Sequence, residues 1–151
     1  MPFRIPRKAL NEFFKLIRNE VDLEFDLYYF CFMAGIATGR KETIPESMDV
    51  VAYFPGEYRH RGKLLIALFL YSEMKQLGVK MNEKSHIYSE ISRLVNPESQ
   101  DHLSDEGLRE FNRYAQGGYK VLEEWFDNRP QSLEAFLRRF KVKIDETLNS
   151  T

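Results

Sequence analysis

The densest run of side chains able to do chemistry is Tyr58-Arg59-His60-Arg61-Gly62-Lys63. Arginine presents a planar fork that matches phosphate, lysine adds a point charge, and tyrosine can stack on a base. The run immediately precedes an unbroken apolar stretch, Leu64 to Tyr71, which places it at a helix N-terminus, where unsatisfied N–H groups favour anions. Arg40 and Lys41 follow a second apolar stretch, Phe25 to Ala37, and reach the same end if the two apolar helices run antiparallel. Arg40, Lys41, Tyr58, Arg59, His60, Arg61 and Lys63 together make a candidate nucleic-acid-binding site. The opposing reading is neutralisation by Glu42, Glu46, Asp49 and Glu57, because five basic and four acidic residues between 40 and 63 leave only +1.

Other chemistry is sparse. His60, His86 and His102 have neither zinc-site spacing nor a cysteine cluster beside them, so no metal is expected. The single Cys31 lies inside the most apolar stretch and reads as a small buried hydrophobe. No Gly-x-Ser-x-Gly is present. Gly35-Ile36-Ala37-Thr38-Gly39-Arg40-Lys41 fails as a phosphate loop: three residues separate its glycines, and Glu42 stands where Ser or Thr belongs. Adjacent carboxylates such as Glu123-Glu124 do not face one another on a helix. The expectation is a non-enzyme without cofactors.

Charge is patterned along the chain. Residues 1–18 hold Arg4, Arg7, Lys8, Lys15 and Arg18 against Glu12 alone, whereas 98–110 carry five acids against Arg109. Segregated charge with 14% aromatic content suits docking to charged partners or to a second copy. Arg7, Lys15, Arg18, Tyr114 and Tyr119 are the candidate partner-binding residues, with Tyr88 a further aromatic anchor. Arg138, Arg139, Lys141 and Lys143 read as the solvated face of the last helix. A net charge of -1 gives no bulk attraction to nucleic acid or to an anionic membrane.

The elements that must position these residues are helices. With 151 residues, 43% apolar and 30% charged, the chain is one globular domain by length and composition. Phe25 to Ala37 is apolar on every side, which implies a helix wrapped by others, and it is too short to span a bilayer. A cytoplasmic protein is expected, since basic and acidic residues interrupt any apolar run near the start and the lone cysteine suits a reducing compartment. Met1 to Pro6 reads as a short arm, followed by a helical stripe of Leu10, Phe13, Phe14, Ile17 and Val21. Thr43-Ile44-Pro45-Glu46 reads as a capping box opening a short helix through Tyr53, with an extended 50–54 as the alternative. Asn82, Ser104 and Ser132 are expected N-caps, and Gly39 and Gly78 helix stops. The seam Leu108, Phe111, Ala115, Gly118, Leu122, Trp125 runs through Gly117-Gly118, where a close approach of another helix is favoured over a bend. Leu133, Phe136, Leu137, Phe140 and Ile144 form the inward stripe of the last helix.

The run from Gly117-Gly118-Tyr119 through Glu124-Trp125-Phe126 to Leu133-Glu134-Ala135-Phe136-Leu137 resembles small helical proteins of bacterial DNA-modification and phage-defence gene clusters. The resemblance spans the last third of the chain and implies a component of a nucleic-acid-handling or antiviral defence assembly. The resulting expectation is an all-α, compact domain of six to seven helices over 1–151, built around a central antiparallel apolar pair at about 24–38 and 57–77. Its expected work is that of a non-enzymatic interaction module, a small subunit or adaptor that binds a partner protein or itself, with no membrane contact. The alternative is a nucleic-acid-binding protein contacting phosphates through residues 40–63.

Overall fold

The computed structural model describes residues 2–150. Five α-helices dominate: α1 (Glu24–Thr38), α2 (Arg59–Gln76), α3 (Lys84–Leu94), α4 (Asp105–Trp125) and α5 (Leu133–Asn149). A two-stranded antiparallel sheet, β1 (Phe3–Pro6) with β2 (Ser47–Val51), completes the framework, so the domain is mostly helical rather than all-α. The N-terminal arm is thus a strand. Phe3 and Ile5 alternate inward from it, and its neighbour on the other edge is a side chain: Asn112 of α4 accepts the Arg4 N–H at 3.0 Å and donates to the Pro2 carbonyl at 3.1 Å. β2 replaces the short helix expected after Thr43. Pairing with β1 satisfies its backbone, and the half-buried Val50 and Val51 suit a pleated surface.

Residues after β1 form a five-residue π-helical turn, Ala9–Phe13, closed by the Phe14 N–H on the Ala9 carbonyl at 2.8 Å, and then irregular turns to Glu20. The predicted stripe is nonetheless buried at Leu10, Phe13, Phe14 and Ile17. Burial, not regular helix, is what the apolar spacing specified.

The centre of the molecule is α1 against α4. Phe32 stacks on Phe111 with centroids 4.0 Å apart, and Tyr28 donates to Asn112 at 2.8 Å. The backbones themselves touch: a Cβ on Gly118 would overlap the Cys31 carbonyl, one on Gly35 the Tyr114 carbonyl, and one on Gly117 the Arg40 carbonyl. Gly117-Gly118 is therefore a close-packing device, as expected. The expected α1–α2 core pair is not the centre, and it is not antiparallel. Tyr58, ahead of α2, donates to Asp26 at the start of α1 (2.6 Å), while Gln76 at the end of α2 donates to the Gly39 carbonyl beyond the end of α1 (2.7 Å). Start meets start and end meets end, so the helices run parallel.

Local signals acted as expected at several ends. Ser104 and Ser132 accept the N–H groups of Gly107 and Ala135, and Gly39 closes α1 in the left-handed conformation at φ 71°. Asn82 does not cap α3, whose flanking residue is Glu83. On α5 only Phe136 of the predicted stripe is fully buried. No helix among the described residues is long and apolar enough to cross a membrane.

Candidate functional site around the first turns of helix α2

The parallel arrangement divides the predicted basic cluster. Arg40 and Lys41 lie beside the C-terminal end of α2, away from Arg59 and Lys63, and both are engaged. Arg40 pairs with Glu42 at 2.6 Å and Glu124 at 2.7 Å. Lys41 is largely buried between Glu73 at 2.8 Å and Glu110 at 2.5 Å, with its ammonium 5.5 Å from the Tyr114 ring centroid. Burial pushes the Glu110 carboxyl up, but Lys41 and Arg113 outweigh it and hold the group below its usual range. Arg40 and Lys41 therefore clamp the 39–44 segment onto α4 rather than await a phosphate.

Arg59, His60, Arg61 and Lys63 keep their positions at the start of α2, exposed and without an ion pair among the described residues. Tyr58 is buried, which removes it as a stacking platform. Burial and its bond to Asp26 raise its phenol well above the ordinary range. The Arg61 guanidinium lies 5.7 Å from the Tyr58 ring centroid, in a small depression shared with Asp22, Asp26 and Glu57.

Successive helical residues turn by ~100°, which separates this end of α2 into two working faces. Arg59, Lys63 and Ile66 line one side of a cleft of about 440 Å³; Phe54, Pro55 and the loop Gln100–His102 line the other. Gly62 lets the helix sit against the Phe54 ring, where a Cβ would lie only 3.1 Å from a ring carbon. Asp101 is 9% exposed and accepts the Phe54 N–H at 3.0 Å. Burial raises its carboxyl, opposed by that N–H and by His102. His102 itself is held at φ 63°, an uncommon conformation for a side-chain-bearing residue, between bonds from Asn96 N–H to its carbonyl and from its own N–H to Ser99.

The face turned away from this cleft carries Leu64, Ala67, Leu68 and Tyr71. Leu64 and Tyr71 are each 61% exposed, whereas Leu65 and Phe69 face the core. Arg61 and Lys75 bracket this apolar stripe, neither ion-paired among the described residues, and no acid of α2 lies on it: Glu73, the one acid of α2, is buried with Lys41. Met81 and Tyr88, beyond α2, are also strongly exposed.

The remaining predicted residues scatter. Tyr114 and Tyr119 are buried in the core, so neither can anchor a partner. Arg18 pairs with Glu24 and Arg4 with Asp49, while Arg7 and Lys15 are on the surface without ion pairs among the described residues. In the acidic 98–110 segment Glu106 pairs with Arg93 and Glu110 with Lys41 and Arg113, while Glu98, Asp101 and Asp105 form no ion pair among the described residues. Arg138, Lys141 and Lys143 pair along α5 with Glu134, Asp145 and Glu146, and Arg139 donates to the Trp125 carbonyl at 2.5 Å. Cys31 is buried and its thiol pushed far up by desolvation. No group of three His, Cys, Asp or Glu among the described residues has metal-site geometry. Asp101 and His102 carry no local signal of a site, because their relation to α2 exists only in three dimensions. The chain matches no protein-family model, and no curated protein or solved structure is significantly similar to it.

Proposed function

We propose that the protein is a helical docking module, a small subunit or adaptor that binds a partner chain over the exposed face of α2. The supporting observation is the mismatch between composition and burial on that helix. Residues 64–71 are apolar on every side, yet the domain leaves Leu64 and Tyr71 exposed to solvent and Leu68 half-buried. A coherent exposed apolar stripe on an otherwise packed helix is the mark of a surface completed by another molecule. The charges select the partner. Stacking two copies stripe to stripe brings Arg61 or Lys75 against a like charge in either orientation, so the complement is an apolar helix with acids at both ends, not a second copy.

The test compares wild type with a Leu64→Glu, Tyr71→Glu double variant as bait in the host lysate, with Arg138→Ala as a surface control. Partners identified by mass spectrometry should be retained by wild type and control, lost by the double variant, and carry an acidic, apolar helix. An unchanged set of partners, or sedimentation showing only self-association through this face, overturns the reading.

A second reading, nucleic-acid binding through the basic end, has its own support: Arg59, Arg61 and Lys63 form no ion pair among the described residues. It predicts binding to DNA or RNA that weakens with salt and on Arg59→Ala with Arg61→Ala. Binding indifferent to those substitutions rejects it.

A further inference from the structure

The cleft on the other side of α2 is separate from the docking stripe. We propose that it binds a single nucleotide, phosphate against Arg59 and Lys63, sugar or base edge against Asp101. About 440 Å³ is within the range of small-molecule sites. Arg59 and Lys63 stand four residues apart, hence on one helical face, and neither is ion-paired among the described residues. A guanidinium fork and an ammonium on one helical face form a phosphate-binding pair.

Asp101 supplies the independent observation. It is more than nine-tenths buried, and one carboxylate oxygen is occupied by the Phe54 N–H while the other has no hydrogen-bond partner among the described residues. It lines the same cleft as Arg59, Lys63 and His102, yet none of them comes within ion-pair distance of it. Positive and negative ends are thus held apart across a cavity with an apolar wall of Phe54, Pro55 and Ile66. Free inorganic phosphate engages only the cations, and a neutral nucleoside engages only the carboxylate. A nucleotide satisfies both, because a ribose diol or a base amino group donates to the free oxygen while the phosphate meets the cations. The same chemistry is offered by a free nucleotide and by the phosphorylated end of a strand.

Titration calorimetry with the full chain tests this using the four ribonucleoside 5′-monophosphates, inorganic phosphate, adenosine, and a 5′-phosphorylated trinucleotide. At least one monophosphate is expected to bind about tenfold tighter than phosphate or adenosine. Amide shifts should concentrate at 54–63 and 100–102. Arg59→Ala with Lys63→Ala should abolish binding. Asp101→Asn keeps the acceptor for the Phe54 N–H and so keeps the fold; it should weaken the nucleotide about tenfold and leave phosphate unchanged. Trinucleotide binding as tight as the mononucleotide assigns the site to strand ends, and its exclusion assigns it to free nucleotides. No binding at millimolar nucleotide, binding untouched by the double alanine variant, or equal affinity for phosphate and nucleotide overturns the proposal. The Leu64→Glu, Tyr71→Glu variant should bind nucleotide normally, so failure of the docking reading does not decide this one.

Discussion

Lys41 is one ammonium between two acids, with Glu73 and Glu110 both largely removed from water. Removing the cation leaves two buried carboxylates facing each other, and breaking a buried ion pair from one side costs on the order of 3–5 kcal/mol. Lys41→Met is expected to lose that much in urea denaturation, whereas Arg59→Met, exposed and unpaired, should stay within about 0.5 kcal/mol. The pH dependence follows from Glu110, whose folded carboxyl is held below its usual range by Lys41 and Arg113. A depressed acid contributes stability that is fully present above its unfolded titration and lost as pH falls through its folded one. Wild type should therefore lose stability on acidification below about pH 4. The Lys41→Met variant should show a shallower loss there, because it lacks the interaction that acid removes; equal slopes in the two proteins would contradict the assignment. None of this was legible in the sequence. Lys41 was readable as a basic residue after a helix-ending glycine, but Glu73 and Glu110 come from two other helices. The same holds for Asn112, an ordinary polar residue in the sequence that binds β1, α1 and α4 together through one side chain.

Elements were legible where the determining signal was local. Ser104 and Ser132 cap their helices, Gly39 ends α1, and the apolar seam of α4 faces the core. Signals that needed a distant partner misled: β2 exists because β1 pairs with it, and the direction of α2 follows from the Asp26–Tyr58 and Gly39–Gln76 contacts rather than from apolar content. Gly117-Gly118 lies between these cases, since a glycine pair inside an apolar seam does announce a close crossing. That crossing leaves no room for a methyl group, and what it would strike is backbone rather than a movable side chain. Gly118→Ala is expected to destabilise by about 3 kcal/mol or more, at the upper end for overpacking. Gly56→Ala, where an added Cβ meets nothing within 4 Å and φ is not left-handed, should shift stability by no more than about 1 kcal/mol in either direction. A pair of denaturation curves with equal midpoints for the two variants would show that α1 and α4 are not in backbone contact.

At the scale of the whole molecule, α2 serves three environments at once. Leu65 and Phe69 enter the core, Arg59 and Lys63 border the cleft, and Leu64 and Tyr71 face solvent. Because the solvent-facing stripe contributes little to the folded domain, its apolar character cannot be explained by stability. Leu64→Glu with Tyr71→Glu is therefore expected to leave the urea midpoint within about 0.5 kcal/mol of wild type, in contrast to Leu65→Ala, whose buried side chain should cost on the order of 2–5 kcal/mol. A stability loss in the double glutamate variant comparable with Leu65→Ala would mean that the stripe packs inside the domain in solution and that the α2 face has no partner to receive. With stability intact, the two faces become separable by mutation. The stripe variant should lose partner capture and keep nucleotide binding, and the Arg59→Ala, Lys63→Ala variant should do the reverse. If either variant abolishes both properties while circular dichroism shows the fold unchanged, the faces act as one surface, and the partner must reach around α2 into the cleft.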